Sequence, residues 1–205
     1  MVIRSLSAMK RQLNSLERQA KQNVKTGMDE KLKLEVIHAG NISSNLHQEI
    51  LALCNKAFGE DLKPLFTTFK DATHVLGSLD TRLVSHALWV TRWLQVGNEP
   101  VMRTANIEAV ATEKEYRNRG FAATVMKRVV EEIKDFDLGA LSPSRVAFYE
   151  LLGWELWRGP LFIRTDDGLL RTPGDEDVMI LRLPRTPILD LYAPLSAEWR
   201  EGELW

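Results

Sequence analysis

Phe121, Val125, Val129 and Ile133 recur at intervals of four, the stripe of an amphipathic helix, and Asn106-Ile-Glu-Ala-Val-Ala-Thr a few residues earlier reads as a strand. Between them lies Arg117-Asn118-Arg119-Gly120-Phe121-Ala122. A strand that feeds a helix through such a turn calls for an α/β or α+β layering, and it also limits the chemistry. The first N–H groups of the helix point outward, a glycine lets the backbone come close to an anion, and two arginines add charge-assisted donors. The junction reads as a diphosphate cradle built on the N–H groups of Arg117, Asn118, Arg119, Gly120, Phe121 and Ala122. As a bare pattern Arg-x-x-Gly-x-Ala also fits an ordinary turn; the flanking strand and long helix are what a cofactor site would need.

The rest of the chain alternates both kinds of element. A short strand is predicted at Lys33–His38, and Asn41-Ile-Ser-Ser is a capping cluster before a helical run over Leu46–Phe58. Residues 74–79, 83–95 and 101–112 read as a three-strand meander, broken at Asp80-Thr81 and turned at Gly97-Asn98. A buried strand at Leu138–Leu141, a helix at Ser144–Leu152 stopped by Gly153, and a strand at Trp154–Trp157 follow. The stretch beyond Pro184 reads as loop. Residues 1–30 carry apolar residues at Leu6, Met9, Leu13, Leu16 and Ala20, a basic amphipathic helix that is either a solvated appendage or a coiled-coil or docking arm. The domain proper is placed at 31–205, and Met28 would serve as an alternative start.

Lys plus Arg is 27 and Asp plus Glu is 28, so nothing favours a polyanionic partner, and nucleic acid is not expected. The neutral total hides a polarised chain: residues 1–33 hold eight basic and three acidic side chains, residues 165–205 four basic and nine acidic. No apolar run reaches the ~20 residues of a membrane span, and no secretory core is present. Cys54 is the lone cysteine, and Cys and His show no metal-ligand spacing; the reading is cytoplasmic and metal-free. Cys54 is expected in the core and Trp89, Trp93 and Trp154 against the sheet. His38, His47, His74 and His86 are expected in structural or surface roles, with no paired nucleophile.

With Arg117, Gly120 and Ala122 in the Arg/Gln-x-x-Gly-x-Gly/Ala places after a strand, the sequence resembles the GCN5-related N-acetyltransferase (GNAT) superfamily from about residue 35 to 205. Within it the chain is similar to the aminoglycoside 2′-N-acetyltransferases. That similarity runs through Ile107-Glu-Ala-Val-Ala, Leu138-Gly-Ala-Leu-Ser, Tyr149 with Gly153-Trp154, Arg171-Thr-Pro and the ending Glu198-Trp-Arg-Glu-Gly-Glu-Leu-Trp205. The resemblance implies an α+β fold with a mixed, mostly antiparallel sheet splayed in its middle and flanked by helices. Acetyl-CoA would lie in the opening, its pantetheine arm paired with the backbone at Val110 and Thr112.

The implied reaction is direct attack of a primary amine on the thioester, without an acyl-enzyme. Glu108 is placed at the amine, as base through a water or as electrostatic anchor; an N–H near Val110 would meet the oxyanion, Tyr149 would protonate the thiolate, and Ser142 would line the acceptor site. Asp61, Glu108, Ser142, Asp175, Glu203 and Trp205 are the candidate contacts to a small polycationic amine, and a homodimer is left open. Read without the resemblance, Glu108 is a half-buried strand residue with a partner, Tyr149 a core residue, and the acidic tail a solvated one. Three departures from the family pattern stand out: Phe66 replaces an acid, Glu203 is longer than the usual Asp, and the Ser142–Tyr149 linker is short and stiffened by Pro143. An acceptor of another class (a polyamine, an envelope amino sugar or a protein amine) and a non-catalytic CoA-binding regulator are the competing readings.

Overall fold

The computed structural model describes residues 31–69, 71–172, 174, 176–201 and 205. The N-terminal helix expectation, Asp175 and Glu203 therefore lie outside the described residues. β1 (Lys33–His38) leads into α1 (Ser44–Phe58), whose N-cap Ser43 accepts the Leu46 N–H at 3.3 Å and whose end turns through Gly59 at φ +80°. The short α2 (Lys63–Phe66) precedes the meander β2 (Thr73–Leu79), β3 (Arg82–Val96) and β4 (Met102–Thr112). Then come α3 (Phe121–Glu132), β5 (Leu138–Leu141), α4 (Val146–Glu150), β6 (Glu155–Leu156), β7 (Leu161–Thr165), β8 (Gly168–Arg171), β9 (Met179–Arg182) and β10 (Leu195–Glu198). The expected helix at 144–152 is thus only five residues long, because Arg145 is still extended and Gly153 turns at φ +88°.

Strand order is β6-β9-β5-β4-β3-β10-β7-β8, with β1 and β2 continuing from the first half of β3. Only β4–β5 and β10–β7 run parallel among the described pairs. The loop expected beyond Pro184 is corrected here: residues 195–198 form β10, which pairs Leu195–Ala197 antiparallel with the end of β3 and residues 195–198 parallel with β7. Proline-rich flanks hide a four-residue strand whose stability comes from two neighbours far away in sequence. Glu198 fixes it, accepting from Arg92 Nε at 2.8 Å and from the Trp93 N–H at 2.9 Å.

β2 and β3 bury successive residues, so both faces of the sheet are covered. α1 lays Ile50, Leu53 and Cys54 on one face against Leu76, Leu88 and Ala111, and α3 packs its Phe121-Val125-Met126-Val129 stripe on the same strands. Lys33–Trp205 form one compact unit. Trp89 and Trp154 are buried as expected; Trp93 is not, standing 48% exposed on β3.

Two of the histidines take structural roles in the core. His86 is fully buried, its Nδ1 2.9 Å from the Ala109 carbonyl and its Nε2 2.9 Å from His74 Nδ1, with Cys54 Sγ at 3.6 Å. A carbonyl only accepts, so His86 carries its proton on Nδ1 and accepts at Nε2 from His74. Cys54 nonetheless stays a thiol, since burial pushes it up to about 12, and it packs as the expected core residue. Burial lowers His74 to about 4 and His86 to about 3. The unfolded chain, with ordinary histidines, binds more protons below pH ~6.5, so stability falls with pH from there toward pH 4. His74 alone removes on the order of 3 kcal/mol across that window. Urea unfolding from pH 7.5 to 4.5 should show this loss, largely abolished in His74→Phe/His86→Leu; equal slopes in the two proteins would refute it.

Candidate active site

β4 opens the candidate site by parting from β5 while it stays paired with β3. It pairs with β5 only over Thr104–Asn106, so from Ile107 onward no described strand occupies that edge. On the other edge the register slips: His86 faces Ala111 and Leu88 faces Glu108, which puts Ala109 and Val110 opposite the single residue Ala87. Ala109 sits at φ +50°, a bulge conformation unusual for a residue with a Cβ. His86 Nδ1 holds the Ala109 carbonyl inward at this point. The free edge from Ile107 to Thr112 can pair with an extended amide chain in place of a missing strand.

Two cavities flank this edge. The larger, about 690 Å³, is lined by Asp61, Glu108, Ser142, Tyr149 and Trp205, together with Glu60, Thr67, Thr68 and Glu201. The other, about 680 Å³, is lined by Val110, Thr112, Arg117, Asn118, Gly120, Phe121, Ala122 and Arg145. They share Phe58, Val110, Ser144 and Tyr149. Among the described lining residues the first cavity has four carboxylates and no Lys or Arg, while the second has two arginines and no carboxylate. One accepts a cation and the other an anion, with a common wall between.

The cradle is a backbone device. Asn118 and Gly120 both have positive φ, +61° and +81°, and Gly120 caps α3 with no side-chain acceptor on its first N–H groups. A Cβ on Gly120 would meet no protein atom within 4 Å, so the left-handed φ is what selects glycine. The arginines contribute less directly than expected. Arg117 donates from Nε to the Thr112 carbonyl at 3.2 Å and from Nη2 to the Ala57 carbonyl at 3.1 Å, tying β4 to α1. Arg119 is absent from the described lining and lies over the Tyr116 and Phe121 rings at 5.3 and 5.2 Å.

In the acidic cavity Glu108 is largely buried, and that burial drives its carboxyl above the ordinary glutamate value of 4.5 against the opposing pull of Arg200. Its Oε1 accepts from Arg200 Nη2 at 2.6 Å and from Asn106 Nδ2 at 2.7 Å. Tyr149 packs edge-on to Phe148 and Trp154, and burial pushes its phenol up to about 12, which keeps it a hydrogen donor through neutral pH. Ser142 donates to the Asp177 carbonyl at 3.0 Å, so its oxygen is left to accept. Asp61 Oδ1 accepts the Lys63 N–H at 3.0 Å, and Trp205 is buried with Nε1 donating to Thr172 Oγ1 at 2.8 Å. Phe66 is buried against Phe69 and His86, away from the lining. Sequence reasoning did not single out Arg200 or Glu60, and Glu201 entered only as part of the acidic tail; Arg200 and Glu201 lay inside a quoted family run, but the pairing of Arg200 with Glu108 spans 92 residues.

The acetyltransferase (GNAT) domain family matches residues 39–157. The chain belongs to the GNAT acetyltransferases. Like other members, this GNAT protein is an acetyl-CoA-dependent N-acetyltransferase, and the cationic cavity with its free strand edge and glycine cradle fits that donor. It is 30% identical over 184 residues to an aminoglycoside 2′-N-acetyltransferase of Mycolicibacterium fortuitum, covering 83% of this chain and 90% of that one. A GNAT family N-acetyltransferase of Escherichia coli, solved in complex with CoA, shares the fold at a TM-score of 0.56 and 14% identity, over 84% of this chain and 93% of that one. A GCN5-related N-acetyltransferase from Kribbella flavida superposes with a TM-score of 0.51 at 21% identity over 63% of this chain, which spans only 34% of that longer one. No helix among the described residues is long and apolar enough to cross a membrane.

Proposed function

We propose that this GNAT enzyme acetylates a primary amine of a polycationic small molecule, with the 2′-amine of an aminoglycoside as its acceptor. The observation that carries this reading is the division of charge: among the described lining residues the acceptor cavity has four side-chain carboxylates and no Lys or Arg, and the neighbouring donor cavity has two arginines and no carboxylate. Likeness to the aminoglycoside enzyme of Mycolicibacterium fortuitum supports the choice of amine. Acetylation would neutralise one ammonium of such a compound, as antibiotic resistance requires, and a cytoplasmic location gives access to acetyl-CoA.

In this mechanism Glu108 removes the ammonium proton, directly or through a water, so that the nitrogen gains a lone pair. The amine nitrogen bonds to the thioester carbonyl carbon while the backbone N–H at Val110 stabilises the oxyanion. The C–S bond then breaks, Tyr149, on the wall common to both cavities, donates to the departing thiolate, and the second proton released by the nitrogen as it becomes an amide restores the phenol through solvent. Ser142, Asp61 and Trp205 hold the acceptor, and the N–H groups of Arg117 to Ala122 hold the diphosphate.

Free-thiol release from acetyl-CoA tests this, with aminoglycosides that carry or lack a 2′-amine, spermidine, glucosamine and a lysine peptide. Turnover confined to the 2′-amino compounds is the expected result; turnover on the others alone discards the acceptor, and CoA binding without turnover on any amine discards catalysis. A different acceptor is favoured by one observation: the position where the resemblance places a second acid is Phe66, buried in the core, and Thr67 and Thr68 line the cavity instead. Deleting residues 201–205 removes Glu201 and Trp205 from the acceptor wall, and KM for the amine should rise by about tenfold or more, some 1.4 kcal/mol of binding. KM for acetyl-CoA should hardly change; equal rises in both would make the tail a folding element.

A further inference from the structure

The carboxylates of the acceptor cavity share a charge but not an environment. Asp61 is exposed and Glu201 is exposed, whereas the Glu108 side chain is 13% accessible and touches a guanidinium. Arg200 Nη2 lies 2.6 Å from Glu108 Oε1, and Asn106 Nδ2 donates to the same oxygen. Oε2 carries neither bond. Behind this pair stands a second one: Arg92, 3% accessible, meets Glu198 Oε1 through Nε at 2.8 Å and the Glu198 carbonyl through Nη2 at 2.8 Å. Arg200 follows Glu198 by two residues, so the contact that seats β10 on β3 also delivers the guanidinium to Glu108.

We propose that Arg200 is a positioning residue for acetyl transfer, one that keeps the Glu108 carboxylate ionised, fixes Oε1 and leaves Oε2 for the acceptor amine or its water. The inference rests on the reading of Glu108 as base. Burial alone favours the protonated acid, which cannot take a proton, and the facing groups divide by sign. Arg200 and Arg92 hold the proton off, with Asn106 assisting, against the burial that holds it on; Glu60, Asp61 and Glu201 are the other acidic residues of the described cavity lining, and Glu198 is paired with Arg92. Tyr149, protonated, adds no charge. A strut that only ties the tail down would shift the Glu108 titration as well, but the acid limb of turnover would not follow it.

The test is kcat/KM against pH on one amine, together with the carboxyl titration of Glu108 followed by carbon NMR in glutamate-labelled protein and assigned by its loss in Glu108→Gln. In Arg200→Met the acid limb and the Glu108 titration should both move up by about 1–3 pH units, the range by which an opposite charge holds a carboxyl down. Arg200→Lys should reverse most of that shift. Arg200→Gln, which keeps donors but no charge, carries the same test if the methionine variant does not fold. An unmoved limb and titration with Glu108→Gln inactive overturn this inference alone. Full turnover in Glu108→Gln overturns the reading of Glu108 as base and this inference with it.

Discussion

Glu108→Gln is expected to lower kcat by roughly 10²–10⁴-fold, the usual contribution of a positioned base, while calorimetric affinity for CoA stays as in the parent. The substitution is nearly isosteric, and an amide oxygen can still accept from Arg200 Nη2 and Asn106 Nδ2, so the packing behind β4 is retained. What is lost is the capacity to take a proton. Since burial places the parent carboxyl above the ordinary 4.5, the acid limb of its activity lies above that value, and the glutamine variant should lack it. An unchanged kcat with a raised KM would instead make Glu108 an anchor that binds the ammonium equally in ground and transition states.

Gly120→Asp should weaken CoA binding by about 100-fold or more, about 2.7 kcal/mol, measured by calorimetry. Two effects combine. At φ +81° any Cβ is strained by roughly 1–2 kcal/mol, and a carboxylate beside a diphosphate repels it by about 4 kcal/mol per charge pair at 4 Å and an effective dielectric of 20. Gly120→Ala separates the two, because a methyl there meets no protein atom within 4 Å and adds strain without charge. Unchanged affinity in the aspartate variant would remove the cradle from the cofactor site.

How much of this was legible in the sequence follows from where each signal resides. The meander, β5 and α3 have local signatures, periodicity and turn residues, and they stand within a residue or two of expectation. The glycine turn into α3 was legible because it is a property of adjacent residues, Gly120 at positive φ and the helix start after it; that it cradles a diphosphate is our proposal. Nothing local marks β10, whose four residues follow Pro194 and become a strand only through β3 and β7. The same holds for His74 and His86, polar residues whose burial depends on each other, and for Trp93, whose apolar bulk suggested packing that β3 does not give it. Arg117 and Arg119 show the converse: their charge was legible, while its expenditure on carbonyls and aromatic rings was a matter of tertiary contact.

β10 also determines when the molecule can be finished. Among the described strands β7 and β8 reach the rest of the sheet through it alone, and its partner Leu94 precedes Ala197 by 103 residues. At about 5–20 residues per second the ribosome takes roughly 5–20 s to supply it, and through that interval the far end of β3 stays an unpaired template. A nascent chain can therefore form β4 and α3 early, but β7 and β8 join the sheet only once β10 is threaded in, and chaperone capture or misassembly should concentrate at that waiting edge.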